Sequence, residues 1–270
     1  GSLVFAAEQG SYLTGVIAAS ASKSGHIGFI GGMGIDLIKA FEAGYVQGAQ
    51  SVNPDIKIDS KYMGAAGDNT AWNVPDKAKA ASAAMISKGA DVIYAAAGGS
   101  GLGMFQAVSE AGAGHWAIGV DSDQYNVPSL AAYKDYILTS MMKRVDVAVY
   151  DVIKGVVDGA PLVGVQNFDL AKDGVGYATS NPAVNDYKAA ADKAARDNAT
   201  GNSRGLGIGA MNELGTLTGV TPVLPASGDA KALGKKAKQA NDIQTRRSSS
   251  EVSTKPGAEG KVSKTGQCIN

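Results

Sequence analysis

The chain contains 270 residues, 44% of them hydrophobic and 6% aromatic, which is enough to bury a real core in one large or two smaller domains. Its 25 basic residues balance 25 acidic residues, so the formal net charge is zero. A neutral chain has no overall attraction to nucleic acid or anionic lipid, and we therefore expect no nucleic-acid partner and a ligand that is recognised locally.

Short apolar runs alternate with longer amphipathic segments from residue 26 to about 142. The predicted strands are 26–32, 56–64, 91–98, 115–123 and 136–142, and the predicted helices between them are 34–52, 76–89 and 102–114. This alternation predicts an α/β fold, with a parallel sheet covered by helices on both faces. In such sheets, ligands bind beyond the carboxyl ends of the strands.

The chain after residue 142 has a different character. Residues 143–159 read as a helix with valines and an isoleucine on one side, and 162–181 read as an extended hairpin that turns at "KDG". Residues 183–200 read as a surface helix. From residue 203 to 270 the chain has few aliphatic side chains and no period, which predicts a mostly disordered tail.

A glycine cluster follows the third predicted strand, in "DVIYAAAGGSGLGMF". A dinucleotide fingerprint would need G-x-G-x-x-G, but here Gly103 comes one residue early and Met104 occupies the last glycine position. Glycines next to a helix N-terminus still allow the backbone to approach an oxygen-rich ligand. Asp121 ends the next apolar run, where a carboxylate can accept both hydroxyls of a ribose. An ordinary strand-to-helix turn with a capping aspartate is the alternative.

Four segments together carry a family resemblance: "EQGSYLTGVIAASASKSGHIGFIGGMG", "GADVIYAAAGGSGLGMFQA", "AIGVDSDQ" and "SMMKRVDVAVYD". They resemble the basic membrane protein family, the PnrA-like purine nucleoside-binding lipoproteins that serve ABC importers. The resemblance covers residue 2 to about 180. It implies a type I periplasmic-binding-protein fold, in which two α/β lobes are hinged around a cleft.

The resemblance also implies a set of ligand-binding residues. Trp72 stands where the family places an aromatic that stacks on the purine, although Phe is more common there and the surrounding stretch is longer than usual. Gly98 and Gly99 would contact the ribose through the backbone, and Asp121 and Lys143 would bind the ribose hydroxyls. We expect Asp121 and Lys143 to form an ion pair that presents acceptors and donors to a diol.

Each assignment has a structural alternative. Trp72 could be a lid of the core, and Lys143 could be a solvated lysine in the first turn of a helix. Asp123 is expected to be a turn or hinge carboxylate, and Met33 and Phe105 are expected to be core residues. These three residues are not part of the predicted site.

The resemblance further predicts how the chain is organised. Residues 1–23 would end a first lobe and cross the hinge, 24–137 would form the C-terminal lobe, and 138–202 would return through the hinge to a remnant of the first lobe. Most of the family's first lobe has no counterpart here, so the fold is expected to be incomplete and the chain a fragment. The lipid-bearing cysteine would lie in the absent segment.

The predicted function is therefore the substrate-binding component of an ABC importer, located outside the cytoplasm and anchored to the membrane by an N-terminal lipid on the longer protein. Its partners would be a purine nucleoside and the ABC permease subunits. No cofactor, metal or catalysis is expected, because only His26, His115 and Cys268 supply soft ligands and no nucleophile motif occurs. The alternatives are a ligand sensor or regulator on the same fold, and a nucleotide- or nucleoside-processing enzyme.

Overall fold

The computed structural model describes residues 1–199, and the predicted alternation of strands and helices is confirmed in it. The strands are β1 (Ser2–Phe5), β2 (His26–Met33), β3 (Lys57–Gly64), β4 (Val92–Ala96), β5 (Trp116–Asp121), β6 (Ile137–Lys143), β7 (Val165–Phe168) and β8 (Val175–Tyr177). The helices are α1 (Ala7–Ala21), α2 (Asp36–Val52), α3 (Pro75–Ser87), α4 (Gly101–Ala111), α5 (Val145–Val157) and α6 (Asn185–Ala199). The predicted tail 203–270 lies outside the described residues.

Six strands form the main sheet, in the order β3-β2-β4-β5-β6-β8. The first five run parallel, and β8 is an antiparallel edge strand. Every residue of β2 is buried, as expected for a strand that is covered on both faces. One face packs under α1 and α2 through Phe29 and Tyr94, and the other packs under α3 and α4 through Ile30 and Ile93.

The helices on both faces approach each other at glycines. A Cβ added at Gly44 would lie 2.1 Å from the carbonyl oxygen of Glu8, and one added at Gly48 would lie 2.0 Å from that of Tyr12. On the other face, a Cβ at Gly103 would lie 1.9 Å from the carbonyl oxygen of Pro75. These contacts leave no room for a side chain, so backbone packs directly on backbone between α1 and α2 and between α3 and α4.

The predicted hairpin over 162–181 is wrong. β7 pairs with β1 in a separate two-stranded parallel sheet, whereas β8 pairs with β6 in the main sheet. The intervening turn does form, with Asp173 in the left-handed region at φ 53°, but it carries the chain from one sheet to the other. Alternation of side chains predicts the strands and does not determine their partners.

Lys143 and Arg144, at the end of β6 and directly after it, make contacts that link the two sheets. The Lys143 Nζ lies 6.0 Å from the ring centroid of Phe5 on β1. Arg144 pairs with Asp146 through two guanidinium nitrogens, at 3.0 and 2.9 Å, and with Asp173 at 3.0 Å. Hydrogen bonding to Arg144 lowers the pKa of the Asp146 carboxyl. The end of β6 is thereby connected both to β1 and to the turn before β8.

The apolar side of α5 remains largely exposed, because only Ala148 of that helix is buried. Val145, Ile153 and Val156 are 49%, 59% and 62% exposed. The two-stranded sheet also exposes apolar side chains, with Val165 at 64%. The assignment of residues 1–23 and 138–202 to a hinge and a first lobe stays a prediction.

Candidate functional site

The carboxyl ends of β2, β4, β5 and β6 lie at one edge of the main sheet, because these four strands are neighbours and run parallel. Gly32 and Met33 end the first of them, and Gly98 follows the second. Asp121 ends β5 and Lys143 ends β6. The residues predicted from the resemblance therefore share this edge.

Trp72 lies in a short 3-10 turn, Asn69–Trp72, between β3 and α3. Asp68 caps this turn by accepting hydrogen bonds from the backbone N–H and the hydroxyl of Thr70, at 3.1 and 2.6 Å. The indole covers Gly32, where an added Cβ would lie 2.3 Å from the ring, and it flanks Gly98 at 3.6 Å by the same measure. The ring is partly buried against the core on both faces of the sheet, so Trp72 does act as a lid of the core while part of it stays exposed.

The glycine loop forms a 3-10 turn, Gly98–Ser100, that leads directly into α4. Gly98 has a φ of 57°, a conformation that favours glycine. A Cβ at Gly99 would lie 3.1 Å from both the Trp72 carbonyl oxygen and the Asn73 side-chain oxygen. Within residues 1–199, no backbone hydrogen bond involves the N–H of Gly98 or Gly99. The loop thus packs against the Trp72 segment and keeps two donors available.

Asp121 and Lys143 form the predicted ion pair, with 3.2 Å between Nζ and Oδ1. The carboxylate side chain is 58% exposed, whereas the lysine side chain is only 20% exposed. The Lys143 ammonium also lies 5.4 Å from the ring centroid of Phe41 on α2. Lys143 ends a strand and is largely buried, which excludes the alternative of a solvated lysine in the first turn of a helix.

The backbone of Asp121 adopts a φ of 66°, which is uncommon for a residue with a side chain. Gln124 supports the chain on either side of it: its Oε1 accepts a hydrogen bond from the Val120 N–H at 2.8 Å, and its own N–H donates to Ser140 Oγ at 3.1 Å. These contacts hold the carboxylate at the strand end in a defined direction.

Three neighbouring residues behave as expected outside the site. Met33 and Phe105 are core residues, at 7% and 1% exposure. The Asp123 carboxylate accepts hydrogen bonds from Asn126 at 2.8 Å and from Ser180 at 2.5 Å, which makes it a turn carboxylate.

Sequence reasoning missed Ser100, which is fully buried between the glycine loop and the Trp72 segment. Its Oγ accepts a hydrogen bond from the Val74 N–H at 2.8 Å and donates one to the Ala71 carbonyl at 2.9 Å. A serine inside a glycine cluster gives no signal of its own, because serine is ordinary in such turns.

The predicted site residues fall into two groups. In one group Trp72 contacts the glycine loop, and in the other Asp121 contacts Lys143. The glycine loop follows β4 and Asp121 ends β5, and these adjacent strands lie about 4.8 Å apart. Two concavities lie elsewhere: one of about 320 Å³ borders His26 and Lys88, and one of about 260 Å³ borders Asp123 and Arg144. None of the five predicted site residues lines either of them.

Two further classes of feature are absent from the described part of the chain. Among residues 1–199, no three His, Cys, Asp or Glu side chains cluster so that they could hold a metal ion. The helices of the same range also lack the combination of length and hydrophobicity that a membrane-spanning segment requires.

The architecture is that of a type I periplasmic-binding protein. A solute-binding protein of an ABC transporter system from Aeropyrum pernix K1 superposes with a TM-score of 0.62 at 26% identity, over 74% of this chain and 65% of that one. A transcriptional activator of the comK gene from Bacillus halodurans superposes with a TM-score of 0.61 at 24% identity, over 73% of this chain and 64% of that one, which shows the fold alone.

The profile of the ABC transporter substrate-binding proteins that are PnrA-like matches residues 1–202, and the chain belongs to this family. An ABC transporter nucleoside-binding protein, BmpA, from Lactococcus lactis subsp. cremoris is 38% identical over 210 residues. That match covers 73% of this chain and 57% of the relative, so the chain spans little more than half of that protein's length.

Proposed function

We propose that this chain forms the nucleoside-facing lobe of an ABC importer's substrate-binding protein, and that its ligand is a purine nucleoside. The Asp121–Lys143 pair is the observation that carries the proposal, because an exposed carboxylate and a nearly buried ammonium together offer acceptors and donors to a ribose diol. Trp72 and the free N–H groups of Gly98 and Gly99 at the neighbouring strand end support it. The name of the Lactococcus relative, a nucleoside-binding protein, agrees with this ligand class.

The remaining half of the binding site would come from another lobe. A parallel sheet is normally buried on both faces, yet β1 and β7 form a separate two-stranded sheet that exposes Val165, and the apolar side of α5 is exposed as well. We propose that this surface is covered by a first lobe in the longer protein. That protein would act outside the cytoplasm, held to the membrane by an N-terminal lipid and delivering its ligand to permease subunits.

Calorimetric titration of the chain, and of the chain joined to the first lobe of the Lactococcus relative, tests the ligand class. We expect guanosine, inosine and adenosine to bind, and guanine and ribose to bind poorly because each lacks half of the contacts. The Asp121→Asn variant is expected to weaken nucleoside binding at least tenfold, since each lost charge-assisted hydrogen bond contributes about 1.5–3 kcal/mol. The ligand assignment is wrong if a sugar or amino acid binds to the two-lobe protein and no nucleoside does.

Asp135→Asn is the matched control for that variant. Asp135 is exposed and precedes β6, so it lies at the opposite edge of the sheet from Asp121. We expect it to leave nucleoside affinity unchanged. Equal losses in the two variants would remove Asp121 from the site.

The same titrations separate the two alternatives. A nucleoside-processing enzyme would convert the nucleoside, whereas a binding protein returns it unchanged, which chromatography of the titrated sample measures. A regulator on this fold is favoured only by the shared architecture of the comK activator, and that likeness concerns the fold. Binding of nucleoside with unchanged recovery, together with uptake by cells that carry the cognate permease, would support the transport receptor.

A further inference from the structure

The segment around Trp72 depends on one hydroxyl group for its attachment to the glycine loop. Ser100 Oγ accepts a hydrogen bond from the Val74 N–H at 2.8 Å and donates one to the Ala71 carbonyl oxygen at 2.9 Å. These two backbone groups flank Trp72 on either side along the chain. The hydroxyl therefore closes a bridge around the residue that carries the indole.

Among residues 1–199, neither of these backbone groups makes another turn or loop hydrogen bond. Ala71 is fully buried and Val74 is partly buried. A buried donor or acceptor that loses its partner is costly, because water cannot replace the hydrogen bond. Removal of the hydroxyl would therefore leave the turn free to shift until water reaches these groups.

Such a shift would act on the indole. The indole ring packs against the backbone of Gly32 and Gly98, and it can approach both closely because glycine lacks a Cβ. Ser100 belongs to the same turn as Gly98, so a single loop both contacts the ring and bonds the backbone around it. Loss of the bridge uncouples the ring from the loop.

We propose that Ser100 is a positioning residue that holds the Trp72 indole against the glycine loop and so presents a preformed stacking face to a planar ligand. It does not itself touch the ligand, since its side chain is fully buried. The structural part of this inference concerns Trp72 alone. The part that concerns a purine base rests on the proposed function.

Ser100→Ala removes the bridge, and Ser100→Cys keeps its approximate volume while offering only a weak donor and a weak acceptor. Ser100→Thr retains the hydroxyl. The matched control is Ser82→Ala, because Ser82 on α3 is equally buried and its hydroxyl makes no hydrogen bond within the described residues. All variants are made in a Trp116→Phe background, so that Trp72 is the only fluorophore of its kind.

The first measurement needs no ligand: acrylamide quenching and the emission maximum of Trp72. We expect greater quenching and a red-shifted maximum for Ser100→Ala and Ser100→Cys, and values like the background for Ser82→Ala and Ser100→Thr. Far-ultraviolet circular dichroism confirms that each variant is folded; if Ser100→Ala is not, Ser100→Cys decides. Quenching unchanged in the folded variants overturns the proposal.

The second measurement is nucleoside titration of the same proteins. For Ser100→Ala we expect a dissociation constant about tenfold weaker than for Ser82→Ala, a change of about 1.4 kcal/mol. An unchanged constant despite greater quenching would overturn the role of Ser100 in ligand binding. If the background protein binds no nucleoside in either the single-lobe or the two-lobe form, the proposed function fails, and the quenching comparison still decides whether Ser100 positions Trp72.

Discussion

Glu8 lies half-buried in the first turn of α1, where desolvation raises the pKa of its carboxyl above the ordinary value. Its folded pKa is therefore higher than its unfolded pKa, and ionisation opposes folding. The contribution of Glu8 to stability is lost as the pH rises from about 4.3 through the raised value. We expect Glu8→Gln to stabilise the protein at neutral pH and to flatten the pH dependence above about 4.3 in urea unfolding.

Glu110→Gln is the control for this prediction. Glu110 is an exposed partner of Lys79, at 2.6 Å, so its loss is expected to change stability little and in the opposite direction. Equal unfolding midpoints for Glu8→Gln and the parent across the pH range would contradict the desolvation argument.

Among single residues, the contact that could be predicted from the sequence was one between opposite charges. The family resemblance assigned Asp121 and Lys143 to one site, their opposite charges then predicted an ion pair, and the pair is confirmed at 3.2 Å. Their contact with a nucleoside stays a prediction. The hydrogen bonds of Ser100 could not be predicted, because its two backbone partners lie 29 and 26 residues away in the chain.

Among elements, the α1–α2 contact gives the sharpest stability prediction. Alanine is ordinarily the better helix former by about 1 kcal/mol, so Gly48→Ala would stabilise an isolated helix. Here the new Cβ would lie 2.0 Å from the Tyr12 carbonyl oxygen, which is backbone and cannot rotate away. We expect the free energy of unfolding, measured with urea, to fall by about 1–3 kcal/mol, the usual range for overpacking.

Gly176→Ala provides the comparison, because a Cβ added at Gly176 in β8 would meet nothing within 4 Å. That variant is expected to keep nearly the parental stability. A Gly48→Ala protein as stable as Gly176→Ala would mean that the two helices can separate without cost.

Strand and helix positions could be predicted because burial on both faces produces long apolar runs, such as the fully buried β2. The pairing of β7 with β1 could not, because their strands lie far apart in sequence and short alternating segments fit several partners. The apolar side of α5 was visible as a pattern, but a pattern does not reveal whether the partner surface is present.

For the whole molecule, joining a first lobe should affect both α5 and the ligand. A two-lobe receptor encloses its ligand, whereas a single lobe retains part of the contacts and incurs most of the entropy cost of association. We expect the chain alone to bind nucleosides with a dissociation constant on the order of 100 μM or weaker, and the two-lobe protein several powers of ten more tightly. In parallel, hydrogen exchange of residues 145–157 should slow.

Ile153→Asp tests whether the exposed side of α5 makes that contact. Since Ile153 is 59% exposed, the variant should leave the stability of the chain alone unchanged while destabilising the two-lobe protein. Asp151→Ala, also exposed on α5, is the control. Unchanged stability of the two-lobe Ile153→Asp protein would place the first lobe elsewhere.

The paired contacts at the end of β6 have a consequence for the response to ionic strength. Lys143 faces both Asp121 and Phe5, while Arg144 pairs with Asp173; Lys143 is largely buried, but the two carboxylates are exposed, Asp121 at 58% and Asp173 at 77%. Added salt screens such pairs, since the Debye length falls from about 10 Å at 0.1 M to about 3 Å at 1 M. An uncharged nucleoside would ordinarily bind with little salt dependence. Here we expect stopped-flow measurements to show faster nucleoside release at about 1 M than at about 0.1 M sodium chloride. The Arg144→Gln variant is expected to show a smaller difference between the two concentrations. Equal release rates at the two concentrations would show that these ion pairs do not affect nucleoside binding.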